Sequence, residues 1–328
     1  MSRFKRIVIL SAVILLPVVL AIFFVYQPVF GSYSGEYTPQ VQSQRLQSHV
    51  IKLSEEIKDR SYYTEGLADA ADYVQEQFST FSQDVSVQRF VVDEVEYRNV
   101  IVRFGPHDQQ LPVIVVGAHF DAYSSLPGAD DNASGTAGLI ELGRLLSQHE
   151  SFSYPVELVA YTLEEPPYFR TQEMGSYHHA ESLHAQGIDV DLMISLEMIG
   201  YFSDEEGSQS YPLPLFEWIY PTKGNYIGVI GRFSDVLELR EVKGEMLNAT
   251  PLAVHSMLAP EMFPEIDYSD HLNYWQFDYP ALMVTDTAFY RNRAYHTSRD
   301  TWQRLDYERM AMVVDGVYNV VTSLASTR

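Results

Sequence analysis

The sequence predicts an α/β fold, a mostly parallel central sheet with helices on both faces, preceded by one N-terminal transmembrane helix. Three observations carry this. Apolar runs of strand length alternate with segments of helical periodicity, the pattern of a parallel sheet covered on both sides. The runs Val113–Gly117, Val156–Leu163 and Leu192–Leu196 are mostly apolar, as strands buried on both faces are. At the N-terminus, an apolar run from Ile7 to about Tyr26 has the ~20 residues needed to cross a bilayer.

That N-terminal run follows Arg3, Lys5 and Arg6, and no further basic residue occurs until Arg45. The charge asymmetry places the N-terminus in the cytoplasm and the remainder on the periplasmic or extracellular side. A cleaved signal would have an apolar region of about 7–15 residues and a small-x-small site, and Gln27-Pro28-Val29-Phe30 offers none. A buried core helix is the weaker alternative, because the run is apolar all round. Pro17 is tolerable in a membrane helix. The organisation read from the chain is therefore a basic terminus at 1–6, a signal anchor at 7–26, a tether at 27–43 and one catalytic domain at 44–328.

Within that domain, helical periodicity runs through Leu46, Val50, Leu53 and Ile57, and again from Leu67 to Phe78. Strands follow at Val85–Val92, Arg98–Phe104 and Val113–Gly117. A helix carrying Leu139, Leu142, Leu145 and Leu146 comes next, then a strand at Val156–Leu163, a helix at Ser176–Gln186 and a strand at Leu192–Leu196. Further strands are expected at Tyr226–Ile230 and Ala281–Thr285, with helices near Asp235–Leu247 and Tyr307–Ala325. The stretch Phe202–Pro221 reads as a long surface loop of the kind that often rims a site.

The chain has 328 residues, enough for a full core, and a formal net charge of −22, which argues against a nucleic-acid partner. Cysteine is absent, so only His and carboxylates are left to bind a zinc-like metal. Such residues gather where strands should pass into loops: GAHFDAY (Gly117 to Tyr123), PGADDNASG (Pro127 to Gly135), YTLEEP (Tyr161 to Pro166), SLEMIGY (Ser195 to Tyr201) and AYHTSRDT (Ala294 to Thr301). His119 and Asp121 are two residues apart past a strand, so both can point to one side. Asp121 is then an orienting partner for the histidine or a turn residue. Asp130 and Asp131 sit in a Gly-rich loop before a helix that Asn132 or Ser134 can cap; helix-start acids are ordinary. Glu164 and Glu165 end a strongly apolar strand, and neighbours in extended chain face opposite ways, which allows one to bind metal and the other to face water. Glu197 lies in a strand of buried character, where a carboxylate needs a cation, a metal or a proton. His296 completes a possible set, or is a plain loop residue.

Together and in this order, HFD, GADDNASG, EE with a later Gly175-Ser176 step, LEMIG, SDH (Ser269 to His271) and YHTSRDT resemble the zinc-dependent exopeptidases of clan MH. These include bacterial leucyl aminopeptidase, aminopeptidase Y, glutamate carboxypeptidase II and glutaminyl cyclase, and the likeness runs from about Gln44 to Leu324. The resemblance implies two zinc ions or similar divalent metals. It implies His119 and Glu197 as ligands of one, Glu165 and His296 as ligands of the other, and Asp131 bridging them. Asp121 becomes the support of His119, and Glu164 the general base. Many members have Asp where this chain has Glu197, one methylene longer, so the metal preference there is open.

The activity implied is metal-assisted hydrolysis of a peptide with a free N-terminus, with Glu164 relaying the proton of the attacking water. Tyr268, Tyr290 and Tyr295 are candidates for the pocket wall. The motifs do not separate an aminopeptidase from a carboxypeptidase, which would need a carboxylate-binding arginine; Arg170, Arg291 and Arg293 are available. A one-zinc, glutaminyl cyclase-like acyltransferase and a non-catalytic binding ectodomain are the other readings. Oligomeric state is not legible.

Overall fold

The computed structural model describes residues 16–17, 19–29, 33–263 and 265–327. Of the span expected at 7–26, residues 7–15 and 18 lie outside the described residues, as do residues 1–6. Residues 16–17 and 19–26 are helical (α1), and no described helix is long and apolar enough to cross a membrane.

Beyond α1 the helices are α2 (Ser43–Ile51), α3 (Glu65–Ser79), α4 (Gly135–Leu146), α5 (Gly175–Gln186), α6 (Val236–Ala249), α7 (His271–Trp275) and α8 (Tyr307–Thr327). The strands are β1 (Val85–Val92), β2 (Val95–Phe104), β3 (Val113–His119), β4 (Val156–Tyr161), β5 (Val190–Glu197), β6 (Tyr226–Arg232), β7 (Ala253–Ala259) and β8 (Ala281–Thr285). All eight form one sheet in the order β1-β2-β4-β3-β5-β8-β6-β7.

The centre of that sheet is parallel as expected: β4, β3, β5 and β8 run the same way. Its flanks are mixed. β1 and β2 form an antiparallel hairpin joined antiparallel to β4, and β6 lies antiparallel to β8 while pairing parallel with β7. Edge strand β7 was not anticipated, because His255 and Ser256 interrupt its apolar pattern.

Alternation along the central strands shows why they read as unbroken apolar runs. Ile114, Val116 and Ala118 of β3 join the larger core, which takes in α2, α3, α4, α6 and α8, whereas Val113 and Val115 join a second core with α5 and α7. Each residue is thus buried on one face or the other, and no polar face is needed.

The predicted tether is only partly free. The hydroxyl of Tyr37 and the backbone N–H groups of Gln40 and Val41 all donate to the buried Asp315 carboxylate of α8, at 2.6, 3.0 and 3.1 Å. The stretch 202–221 is irregular as expected, apart from a 3₁₀ turn at Pro214–Trp218.

Candidate metal centre

β3 lies between β4 and β5, and the chain passes from β3 to β4 on one side before returning to β5 on the other. Open α/β sheets bind ligands at such reversals, outside the carboxyl ends of the strands. The expected ligands and the expected base come to this point. His119 ends β3, Glu197 ends β5, Glu164 and Glu165 follow β4, and His296 lies on the segment between β8 and α8.

Asp131 stands at the middle. Its Oδ1 is 3.5 Å from His119 Nε2, and its Oδ2 is 3.1 Å from His296 Nε2. On the His119 side, Glu197 Oε2 approaches the same Nε2 at 3.3 Å and Glu164 Oε2 at 3.7 Å. On the other side, Glu165 Oε2 lies 3.2 Å from His296 Nε2. The residues therefore make two donor triads, His119-Asp131-Glu197 and Asp131-Glu165-His296, with the donor atoms of each within 4.8 Å of one another.

The remaining contacts hold these groups in place. Asp121 Oδ1 and Oδ2 accept the backbone N–H groups of Glu164 and Glu165 at 3.2 and 2.9 Å, and Oδ1 also lies 3.4 Å from His119 Nδ1. Asp121 thus touches the backbone of both glutamates as well as the histidine ring. The Thr136 hydroxyl donates to the His119 carbonyl at 2.8 Å, tying α4 to the end of β3. Glu197 Oε2 accepts from the Ser269 hydroxyl at 2.8 Å, and Ser269 in turn pairs with Ser195 at 2.7 Å. The ring of His296 is sandwiched between Tyr295, at 3.8 Å between centroids, and Tyr123, at 4.2 Å.

The loop bearing Asp131 is fixed by groups that carried no assignment in the sequence. Asp300, within YHTSRDT, accepts the backbone N–H groups of Asp130 and Asp131 at 3.1 Å. Asp130 accepts from Asn292 Nδ2 at 2.8 Å and from the Gly200 N–H at 3.1 Å. Asp130 is thus a support, pointing away from the cluster that its neighbour enters. Asn132 takes the helix-capping position by accepting the Gly135 N–H at 3.1 Å, and it bonds both Leu196 O and Met198 N. Arg60 is buried and donates to the carbonyls of Leu53, Phe120, Pro127 and Gly128. A single Arg in a polar stretch gives no sequence signal, yet it places a cation beneath a strongly acidic site.

The electrostatics show what is missing. Burial raises Glu165 to about 8, with Asp131 adding to the rise and His296 opposing it. Burial likewise raises Glu164 and Glu197, although His119 opposes it. Asp270 of the SDH motif is buried nearby and raised to about 7 by the same cause. Burial by itself would lower both histidines, but the carboxylates outweigh it: Glu164 and Glu197 hold His119 up, and Asp131 and Glu165 hold His296 up at about 10. This excess of buried negative charge calls for protons or a cation. His119 Nε2 and His296 Nε2 are buried without a hydrogen-bond partner and both face Asp131, and Glu165 Oε1 is buried without one as well. A nitrogen and oxygen donor set of this kind fits zinc-like divalent ions.

Beside the first triad lies a largely apolar cavity whose walls include Glu197, Tyr268, Phe289, Tyr290 and Tyr295. All three tyrosines named from the sequence line it. Of the arginines, Arg170 stacks on Tyr268 and pairs with Asp267, Arg291 is buried against Gln209 and the Tyr201 carbonyl, and Arg293 is exposed. None is among the residues lining the cavity.

The sheet, with histidines and carboxylates gathered at its strand ends, has the α/β fold of the zinc exopeptidases. The model of Peptidase family M28 matches residues 99–321, and the chain belongs to that family. It is 44% identical over 324 residues to the uncharacterized protein YfbL of Escherichia coli, covering 96% of this chain and 98% of that one. It is 24% identical to leucine aminopeptidase 1 of Ajellomyces capsulatus, covering 86% and 71% of the two chains. The structure of BSAP, a zinc aminopeptidase from Bacillus subtilis, superposes with a TM-score of 0.70 at 14% identity, covering 89% of this chain and 97% of that one.

Proposed function

We propose that the chain is a membrane-anchored aminopeptidase that holds two zinc-type ions and removes the N-terminal residue of peptides on the periplasmic or extracellular side. The observation carrying this reading is the Asp131 carboxylate, which offers one oxygen to each of two histidine-containing triads. His119 and Glu197 would hold one ion, Glu165 and His296 the other, with Asp131 shared. When bound, such a pair polarises the scissile carbonyl and makes a water more acidic.

The chain's own residues do the rest. Glu164 would take a proton from the attacking water and pass it to the leaving amine, acting as base and then acid. Asp121 accepts the N–H groups of Glu164 and Glu165 and so keeps the base and its neighbouring ligand on their separate headings. Tyr123 and Tyr295 clamp the His296 ring. The apolar cavity suits the side chain of an N-terminal apolar or aromatic residue.

The cavity also favours an aminopeptidase over a carboxypeptidase. No Arg or Lys is among its described lining residues, while Glu197 and Glu265 are. Acidic groups suit a substrate ammonium; a terminal carboxylate would need a cation. The anchor is supported by the apolar run and the flanking Arg3, Lys5 and Arg6.

The test is hydrolysis of a peptide with an apolar N-terminal residue, with zinc supplied, beside its N-acetylated and C-amidated forms. The reading expects cleavage that acetylation abolishes and amidation leaves intact. Loss on amidation instead would make it a carboxypeptidase, and pyroglutamate formation from N-terminal Gln without hydrolysis would make it a cyclase.

A further inference from the structure

The end of α1 is clamped onto one edge of the sheet. The Tyr26 carbonyl accepts from Ser256 Oγ at 2.7 Å and Lys243 Nζ at 3.2 Å, and Lys243 also reaches the Gln27 carbonyl at 3.1 Å. The Tyr26 hydroxyl bonds His255 Nδ1 at 2.9 Å, and Arg240 donates to Gln27 Oε1 at 3.0 Å. These partners belong to β7, the edge strand, and to α6 beside it. Before the clamp, α1 leaves the body with Leu16, Val19, Leu20, Phe23 and Phe24 exposed.

Large apolar side chains surround this exit. Trp218 is 87% exposed, Met262 89%, Leu237 73% and Leu215 57%, and Leu213 and Phe233 are exposed as well. A chain of ring contacts shows that they share one side of the molecule. Phe24 meets Phe233 at 5.1 Å, Tyr26 meets Tyr220 at 5.4 Å, Tyr220 meets Phe216 at 5.8 Å, and Phe216 meets Phe263 at 6.3 Å. The exposed residues are next to or within a few positions of these rings. Single exposed apolar residues are ordinary, but a continuous group of this size marks a contact surface.

We infer that this collar is a bilayer-contacting surface, resting on the headgroup–acyl boundary of the membrane that α1 enters. The occupant follows from continuity: ring contacts lead from the apolar helix to the collar, so whatever surrounds that helix also meets the collar. The inference rests on the reading of the N-terminal run as an anchor. Glu217, Glu238 and Glu261 lie among the collar residues, so anionic lipid does not attract it. The contact is hydrophobic, with Trp218 at the interfacial depth that indole favours. Phe216, Tyr220 and Phe263 line the apolar cavity as well, so one wall of the cavity stands on the membrane-facing loop.

The absence of cysteine makes the test direct. Full-length Leu215→Cys, Trp218→Cys and Met262→Cys, each labelled with an environment-sensitive fluorophore, are reconstituted into phosphatidylcholine vesicles with or without doxyl-labelled lipid. The control is Val91→Cys on β1, exposed at the opposite edge of the sheet. The inference expects emission at 215, 218 and 262 to shift to the blue and to be quenched by doxyl lipid, unchanged at 1 M salt, with position 91 unaffected. If the chain floats with vesicles yet position 218 is quenched no more than position 91, the collar is overturned and the anchor stands. If the full chain fails to float with vesicles, the anchor falls and the collar with it.

Discussion

Asp121 accepts the backbone N–H of Glu165 at 2.9 Å while its other oxygen faces His119 Nδ1 at 3.4 Å. One buried carboxylate thereby sets the position of a donor on each side of Asp131. Outer partners of this kind typically contribute about 10–100-fold in metal affinity or activity. Asp121→Asn keeps the shape but loses the charge and one acceptor. It is expected to weaken zinc binding by about that factor in competition with a chelator; unchanged affinity would return Asp121 to a plain turn role.

Glu164 Oε2 lies 3.7 Å from His119 Nε2, yet Glu164 belongs to neither donor triad. Glu164→Gln should retain its metal and lose about 10²–10⁴-fold in turnover. Metal content measured beside the rate separates the two roles: loss of bound metal would make Glu164 a ligand, and full activity would end its assignment as base.

Glu197 lies 3.3 Å from His119 Nε2, and Ser269 donates to it at 2.8 Å. Ser269 holds that side chain on its heading toward His119. Glu197→Asp withdraws the carboxylate from both partners and should lower metal affinity. Ser269→Ala should lower it less, and adding Ser269→Ala to Glu197→Asp should cost little more, since the hydrogen bond is already gone. Independent, additive effects in chelator titrations would contradict this coupling.

Without metal, pH should act on stability through the same cluster. Burial, with Asp131 adding to it, raises Glu165 in the folded chain to about 8, and burial raises Asp270 to about 7, against ordinary carboxylate values of 4.5 and 3.8. The folded state then binds more protons at these groups than the unfolded one between those limits, so their contribution is fullest below about pH 4 and is lost as pH rises toward 8. Thermal denaturation of the metal-free chain should therefore show Tm falling from pH 5 to pH 8, with added zinc reversing the fall. A Tm rising over that range would contradict it.

Glu157 behaves in the opposite sense, far from the site. Burial would raise it, but His179 and Arg103 outweigh that and hold it at about 2. Its contribution is present above the ordinary 4.5 and is lost as pH drops from there toward 2. Glu157→Gln should accordingly shallow the acid limb of the denaturation profile and leave the limb between pH 5 and 8 unchanged.

The sequence made the centre of the molecule more legible than its edges. Strands β3, β4, β5 and β8 are buried on both faces, which leaves largely apolar runs; β3 and β5 end at His119 and Glu197, and Glu164 and Glu165 follow β4. β7 carries His255 and Ser256 because it meets α1 rather than a second apolar layer, and that disguised it. The donors were visible as residue types at strand ends. Their supports were not: Arg60 acts through four carbonyls contributed by distant segments, and Asp300 through two backbone N–H groups. Such partners leave no pattern in residue spacing. The contacts of Tyr37, Gln40 and Val41 with Asp315 cross the fold in the same way and leave no pattern in spacing either.

The central claim is that Asp131 is shared by two metal sites, and metal stoichiometry tests it most directly. Zinc titrated into the metal-free full-length chain, followed by calorimetry and checked by elemental analysis, should bind at two equivalents. Asp131→Ala should weaken both. Saturation at one equivalent, or an Asp131→Ala chain that still binds two with parent affinity, would contradict the account.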